Sequence, residues 1–217
     1  MHESITFDPA CRRCPRLAAH LDAVRARHPD YHCAPVPPFG AARPRLLVVG
    51  LAPGLHGANA SGRPFTGDHA GLILYRTLHR FGFSDRPESH HAGDGLRLLD
   101  TAITNAVKCL PPQNKPTGAE VRACNPYLAA ELAHLPAGAA ILALGRIAHE
   151  AVVRALGRRL RELPFAHGAE HPLEDGRILV DSYHCSRYNT QTKRLTEAMF
   201  DAVFARLRAH LDAHERD

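Results

Sequence analysis

The chain has 217 residues, of which 45% are hydrophobic and 23% charged, with a formal charge of +5 at neutral pH. That length suffices for one substantial core and does not call for a second, so a single domain over residues 1–217 is the expectation. No apolar run approaches ~18 residues, which excludes a membrane span, and Met1 to Ala10 lack the apolar stretch of a leader, so the expectation is a soluble, cytoplasmic protein.

In chain order, Leu17, Leu21 and Val24 repeat at helical spacing and predict a helix over Pro15–Arg27. Four short apolar runs, residues 46–49, 102–107, 140–144 and 178–180, are strand candidates. Helical periods separate them: Leu72, Tyr75 and Leu78 after the first, Val121, Tyr127, Leu128 and Leu132 after the second, Ile147, Val152 and Leu156 after the third. Leu195, Met199, Val203 and Leu207 predict a last helix over residues 191–210. Residues 30–41, 85–95 and 161–176 are rich in Pro, Gly and His and read as loops. Strands alternating with helices imply a parallel sheet covered on both faces, an α/β fold. His20, His79, His149 and His210 fall in helical stretches and are expected to carry no chemistry.

Two loops at strand ends stand out, and strand ends are where α/β folds place ligands. The first reads Gly50-Leu51-Ala52-Pro53-Gly54, then Gly62-Arg63-Pro64-Phe65-Thr66-Gly67-Asp68. It offers one aromatic ring and one carboxylate among glycines that permit close approach of another molecule. The second, Ser182 to Thr190, is dense in hydrogen-bonding groups. Neither G-x-G-x-x-G nor G-K-[ST] follows the first strand, which disfavours dinucleotide and nucleotide-phosphate sites. Among the 27 basic residues, Lys108, Lys115 and Lys193 are the only lysines. Guanidinium forks suit phosphate oxygens, and a GC-rich codon bias explains the same excess of Arg equally well.

Six cysteines occur, at positions 11, 14, 33, 109, 124 and 185. Cys11 and Cys14 form a C-x-x-C, and Cys109 with Cys124 forms a second, wider pair. Four thiolates suit structural zinc or an iron–sulfur cluster. Zinc usually takes two tight pairs, so the wide pair somewhat favours a cluster. Disulfides are the rival reading, disfavoured inside a cell, and Cys33 and Cys185 are left as unligated thiols.

With Gly50 to Gly54, Gly62 to Asp68, Thr104-Asn105-Ala106-Val107-Lys108-Cys109, Pro111-Pro112 with Asn114, and Ser182-Tyr183-His184 with Ser186 in one order, the chain resembles the uracil-DNA glycosylase superfamily. The nearest branch is its iron–sulfur family 5, or type B. The resemblance runs from about Cys11 to Phe200. It implies a three-layer α/β/α fold around a four-stranded parallel sheet, a 4Fe-4S cluster on Cys11, Cys14, Cys109 and Cys124, and removal of uracil from DNA. Leu51 separates the chain from family 4, which carries an acid there, and shifts the water-orienting role to Asp68. By the same matching Phe65 stacks on the flipped base, Asn114 sits in its pocket with Gly50 and Ala52, and His184 faces a base carbonyl. Asn105 aligns with a pocket asparagine of family 4, whereas type B relatives can carry alanine there.

The chemistry is consistent with that expectation. Breaking an N-glycosidic bond requires the base out of the stack, and donors near the departing uracil O2 help most as it gains negative charge. His184 is the candidate donor, with Asp68 the carboxylate for water and for the sugar's positive charge. With no lysine in either loop, a hydrolase that forms no Schiff base is expected. Ser186, Arg187, Tyr188 and Asn189 are candidates for a minor-groove loop, and Arg63, Lys193 and Arg194 for phosphate contacts. Rival readings remain for Phe65 as core, for Asp68 as only a helix cap, and for the whole chain as a non-catalytic nucleic-acid binder or a redox protein. A monomer acting on DNA that contains uracil or other deaminated bases is expected.

Overall fold

A computed structural model describes residues 6–214, so residues 1–5 of the segment read for a leader lie outside it. The strands are β1 (Phe39–Gly40), β2 (Leu46–Gly50), β3 (Thr101–Asn105), β4 (Ala140–Leu144), β5 (Glu170–Pro172) and β6 (Ile178–Ser182). The helices are α1 (Pro15–Arg27), α2 (Ala58–Ser61), α3 (His69–Arg80), α4 (Gly118–Ala133), α5 (Arg146–Ala155), α6 (Arg187–Gln191) and α7 (Glu197–Ala213).

Every residue of β2, β3, β4 and β6 is buried, as strands covered on both faces must be. These four run parallel in the order β3-β2-β4-β6. Among the described residues the sheet has six strands rather than four, because β1 pairs antiparallel with β3 and β5 with β6. Both edge strands arise in segments expected to be loops; at two and three residues they are too short for any periodicity to show. Alternate side chains serve opposite layers. Leu46, Val48, Leu142 and Val180 pack with Leu74 and Leu78 of α3 and Phe204 and Leu207 of α7. Leu47, Val49, Ile141 and Leu179 pack with Leu128 of α4 and Val152 of α5. The result is the three-layer α/β/α arrangement expected.

β3 stops at Asn105 rather than running to residue 107, because the next two amides turn to bond Gly50 and Leu51 carbonyls at 2.9 and 3.0 Å. That turn carries Cys109 away from the sheet. The helix expected over 191–210 starts only at Glu197, as α7, and the separate α6 ends at Gln191. Between them Lys193 adopts φ +56°, and Thr196 opens α7 by accepting a hydrogen bond from the Met199 amide. Leu195 fits the four-residue repeat because it is buried, but it anchors the turn instead of continuing a helix. Thr117 and Glu120 form a reciprocal cap at the start of α4. Among the described residues no helix is long and apolar enough to cross a membrane.

Candidate active site

At the carboxyl ends of the parallel strands lies a cavity of about 400 Å³, lined by Leu51, Ala52, Gly54, Phe65, Asp68, Asn105, Asn114, His184 and Arg187 among others. These residues come from four segments of the sequence, and the fold brings them together as the resemblance implied. Gly50 at the end of β2 makes it possible: a Cβ there would stand 2.4 Å from Asn105 Oδ1 and 2.6 Å from Phe65 Cε2.

Phe65 occupies φ +54°, a region unfavourable to an L-residue. Its neighbours hold it there, with the Tyr75 hydroxyl donating to Pro64 O at 2.9 Å and the Ser61 hydroxyl to Thr66 O at 3.2 Å. The ring is only 6% exposed and belongs to the core cluster under α3, yet it also lines the cavity. Core and cavity were alternatives in the sequence; the residue serves both. Its ring lies 5.8 Å from that of His184, the planes inclined by 25°.

Asp68 is the N-cap of α3. Its Oδ1 accepts the Gly71 amide at 2.8 Å, while Oδ2 faces the glycine loop, where a Cβ on Gly57 would come within 2.5 Å and one on Gly54 within 3.4 Å. One oxygen therefore caps and the other is turned toward the cavity loop. Burial lowers the His184 pKa, and the Asp68 charge opposes that only in part, so the ring is neutral at pH 7 and keeps one N–H to donate.

The second loop divides its labour. Ser186 caps α6 by accepting from the Asn189 amide at 3.4 Å, and the Asn189 side chain donates to His184 O at 2.8 Å. Both residues shape the turn that presents His184. Thr190 meets His69 at 3.0 Å, tying α6 to the first turn of α3. Arg187 lines the cavity mouth, and Tyr188 is 69% exposed at the tip. Lys193 and Arg194 are exposed, with the Arg194 guanidinium 4.8 Å from the Tyr183 ring centre.

Arg63 is not a surface cation. Its guanidinium turns inward to Asp94 at 2.7 Å, Ser89 at 3.0 Å and Ala92 O, and the residue is 5% exposed. Burial opposes the ionised form of Asp94, yet the Arg63 hydrogen bond and backbone amides hold its pKa below the usual carboxylate range. A phosphate could be reached only by breaking that pair, so Arg63 is removed from the DNA-contact set. The two asparagines also separate. Asn105 is buried with an Oδ1 that has no hydrogen-bond partner, whereas Asn114 stands exposed at the rim with φ +56°.

A second groove of about 340 Å³ also touches His184 and is lined by Gly145, Arg146, Phe165, Tyr183, Asn189 and Arg194. Arg146 and Phe165 were missed in the sequence. The signal was present: Gly145 and Arg146 follow a parallel strand, β4, as directly as the two loops that were chosen follow theirs.

Behind β3, Cys11, Cys14, Cys109 and Cys124 line one small cavity. Cys14 is the N-cap of α1, and Arg16 beside it donates to both Glu120 oxygens at 2.8 and 2.7 Å, joining α1 to α4. The Lys108 amide donates to Cys124 Sγ at 3.3 Å. Burial first, then the nearness of Cys124, Cys11 and Cys14, pushes the Cys109 thiol up to about 12. Burial likewise raises Cys14 and Cys124, and four thiols gathered on one cavity form a donor set that suits a cluster better than a single ion, whose ligands would stand closer together than these do. Cys33 and Cys185 are buried elsewhere, against Asn59 and Ala70 O.

A family model of the uracil DNA glycosylase superfamily matches residues 37–208, from just before β1 into α7. The chain belongs to that superfamily. Over 88% of its length it is 51% identical to a type-5 uracil-DNA glycosylase of Thermus thermophilus, covering 89% of that relative. It is 45% identical to the type-5 enzyme of Mycobacterium leprae, covering 89% of this chain and 88% of that one. A type-4 uracil-DNA glycosylase of Pyrobaculum aerophilum matches at 37% over 70% of this chain and 64% of its own. This glycosylase therefore sides with the type-5 branch, as Leu51 suggested. The superfamily match spans both loops of the cavity and the Cys109–Cys124 pair, while Cys11 and Cys14 precede it.

Proposed function

We propose that this chain is a monofunctional uracil-DNA glycosylase that extrudes uracil into the Phe65–His184 cavity and hydrolyses its N-glycosidic bond. The observation that carries the reading is the pairing, in one cavity of a superfamily member, of a cap carboxylate with one oxygen turned inward and a neutral imidazole. The Phe65 ring gives the base a face on which to stack, worth ~1–3 kcal/mol. The Asn105 amide matches the edge of uracil, its oxygen accepting from N3–H and its nitrogen donating to O4. Asp68 Oδ2 orients the attacking water and offsets positive charge at C1′. His184 donates to O2 as the base departs with negative charge. With leucine rather than an acid at position 51, the cavity relies on leaving-group stability. That favours uracil and other deaminated bases.

Among the described residues no lysine lines the cavity, consistent with direct hydrolysis and no Schiff base. Cys11, Cys14, Cys109 and Cys124 would hold a 4Fe-4S cluster, whose contribution when bound is to clamp the N-terminal segment to the turn after β3. Arg187, Lys193 and Arg194 meet backbone phosphates, and Tyr188 enters the space the base leaves. The enzyme acts as a cytoplasmic monomer on genomic DNA. A single-turnover assay on an oligonucleotide with one uracil tests the reading. Free uracil and an alkali-labile but unbroken strand are expected. Tight binding without base release would make the chain a binder, and strand scission without alkali would contradict the monofunctional mechanism.

A further inference from the structure

The connection between α3 and β3 supplies no residue to the proposed chemistry, yet two of its side chains, Ser89 and Asp94, turn inward behind the first cavity loop. We infer that Ser89, together with the Arg63–Asp94 pair, positions the Phe65 ring for stacking on the extruded base by clamping the turn on both sides of that ring. The inference rests on the uracil-DNA glycosylase reading and deepens it, adding a positioning residue that lies outside the cavity.

Phe65 is a residue that must be held. Its φ of +54° is one that an L-residue abandons when its surroundings allow. Its carbonyl is also pressed against α3, where a Cβ on Gly71 would stand 1.8 Å from Phe65 O. The clamp grips the chain before and after the ring. Before it, Arg63 Nη1 donates to Ser89 Oγ at 3.0 Å and to Asp94 Oδ1 at 2.7 Å, and Nη2 donates to Ala92 O. After it, Thr66 Oγ1 lies 2.7 Å from the same Ser89 Oγ; either hydroxyl can donate, and the bond holds both ways. One serine oxygen thus meets both flanks of the turn. Its own segment is closed by Asp94, which accepts the His90 amide at 2.8 Å and the Leu96 amide at 3.0 Å.

Arg63, Ser89 and Asp94 do not line the cavity, so they reach the base only through Phe65. Of the three, Ser89 separates positioning from scaffold. It is neutral, and without its hydroxyl Arg63 keeps its carboxylate, Thr66 keeps a bond to Pro64 O at 3.3 Å, and the Tyr75 hydroxyl keeps Pro64 O at 2.9 Å. The fold therefore survives the loss of Ser89 Oγ, while the turn gains freedom to leave its left-handed conformation and carry the ring away from the face that the base would meet. Excision should slow, and binding to undamaged DNA should not change.

The test is a double-mutant cycle between Ser89→Ala and Phe65→Leu, read by single-turnover excision of uracil, with fluorine NMR of the cluster-loaded protein labelled with 4-fluorophenylalanine. Ser89→Ala alone should slow excision roughly 3- to 10-fold, but less than about twofold further once Phe65 is leucine, because the ring it positions is gone. The Phe65 fluorine signal, assigned by its disappearance in Phe65→Leu, should shift or broaden in Ser89→Ala while the other phenylalanine signals stay in place. Equal slowing in both backgrounds would overturn the inference, since Ser89 would then act elsewhere. Unchanged excision or an unmoved Phe65 signal in Ser89→Ala would overturn it too, leaving Ser89 as scaffold. If Ser89→Ala does not fold, Thr66→Val breaks the same contact from the other end at nearly constant shape, and Thr66→Ser, which keeps the hydroxyl, should restore the rate; the same criteria apply. The fluorine signal needs no DNA, so a chain that released no uracil would fail the glycosylase reading while the clamp on Phe65 stood or fell by that signal.

Discussion

The four-thiol cage behind β3 and the cavity around Asp68 both draw on chain leaving the carboxyl ends of neighbouring strands, the cage adding Cys11 and Cys14 from before α1, and they treat polar groups in opposite ways. Around the cage the polar side chains are paired within the protein: Arg16 with Glu120, Lys108 with Glu131 at 2.7 Å and with Thr104. In the cavity, Asn105 keeps a buried oxygen without a partner, and Phe65 is held in a backbone conformation that costs about 1–3 kcal/mol. Pairing satisfied inside the protein marks a part that holds the fold. Bonding capacity left open, inside walls that are themselves rigid, marks a part that waits for a ligand. Changes in the first region should therefore lower stability, and changes in the second should lower rate.

The largest effect is expected at the cage. On the order of 10 kcal/mol of binding free energy enters folding when a structural metal site forms, so Cys109→Ser should lose iron together with the cooperative thermal transition. Iron loss with an unchanged Tm would mean the cage is not scaffold. Next comes Arg63→Ala, which leaves Asp94 its backbone amides but no cation and should destabilise by about 3 kcal/mol, while the remaining folded enzyme binds DNA normally. An intact Tm with weakened DNA binding would return Arg63 to the phosphate contacts. Phe65→Leu belongs to the other region. Losing about 1–3 kcal/mol of stacking should slow excision by roughly 10- to 100-fold with little change in Tm, and a large drop in Tm at normal excision would assign the ring to the core alone. Smallest is Arg194→Ala: a few-fold loss of affinity for any sequence and a shallower salt dependence, the log-log slope reduced by about one.

Much of this division is legible in the chain, for identifiable reasons. Strands buried on both faces appear as unbroken apolar runs, so β2, β4 and β6 were visible, and Pro15 with Leu17, Leu21 and Val24 marked α1 without error. The two loops declared themselves because their residues, glycines with one ring and one acid, have no use in a plain connector. What stayed hidden depends on partners distant in sequence. Arg63 resembles any loop arginine until Asp94, 31 residues on, closes over it. His149 looks like an inert helical residue until β6 places Asp181 against it. Neither pairing leaves a periodic trace, and β1 and β5 are too short to leave one.

The central claim is that Asp68 performs two tasks with two oxygens, one capping α3 and one serving the reaction. Asparagine at an N-cap still accepts the backbone bond but cannot balance positive charge on the sugar, so Asp68→Asn separates the tasks. Single-turnover excision of uracil by this variant, measured with its Tm and DNA affinity, tests the claim most directly. The expected result is a chemical rate lower by about 10- to 1000-fold with Tm and affinity close to those of the unaltered enzyme. A rate equal to that of the unaltered enzyme would contradict it, leaving Asp68 a cap and moving the water-holding role to the backbone between Gly50 and Gly54.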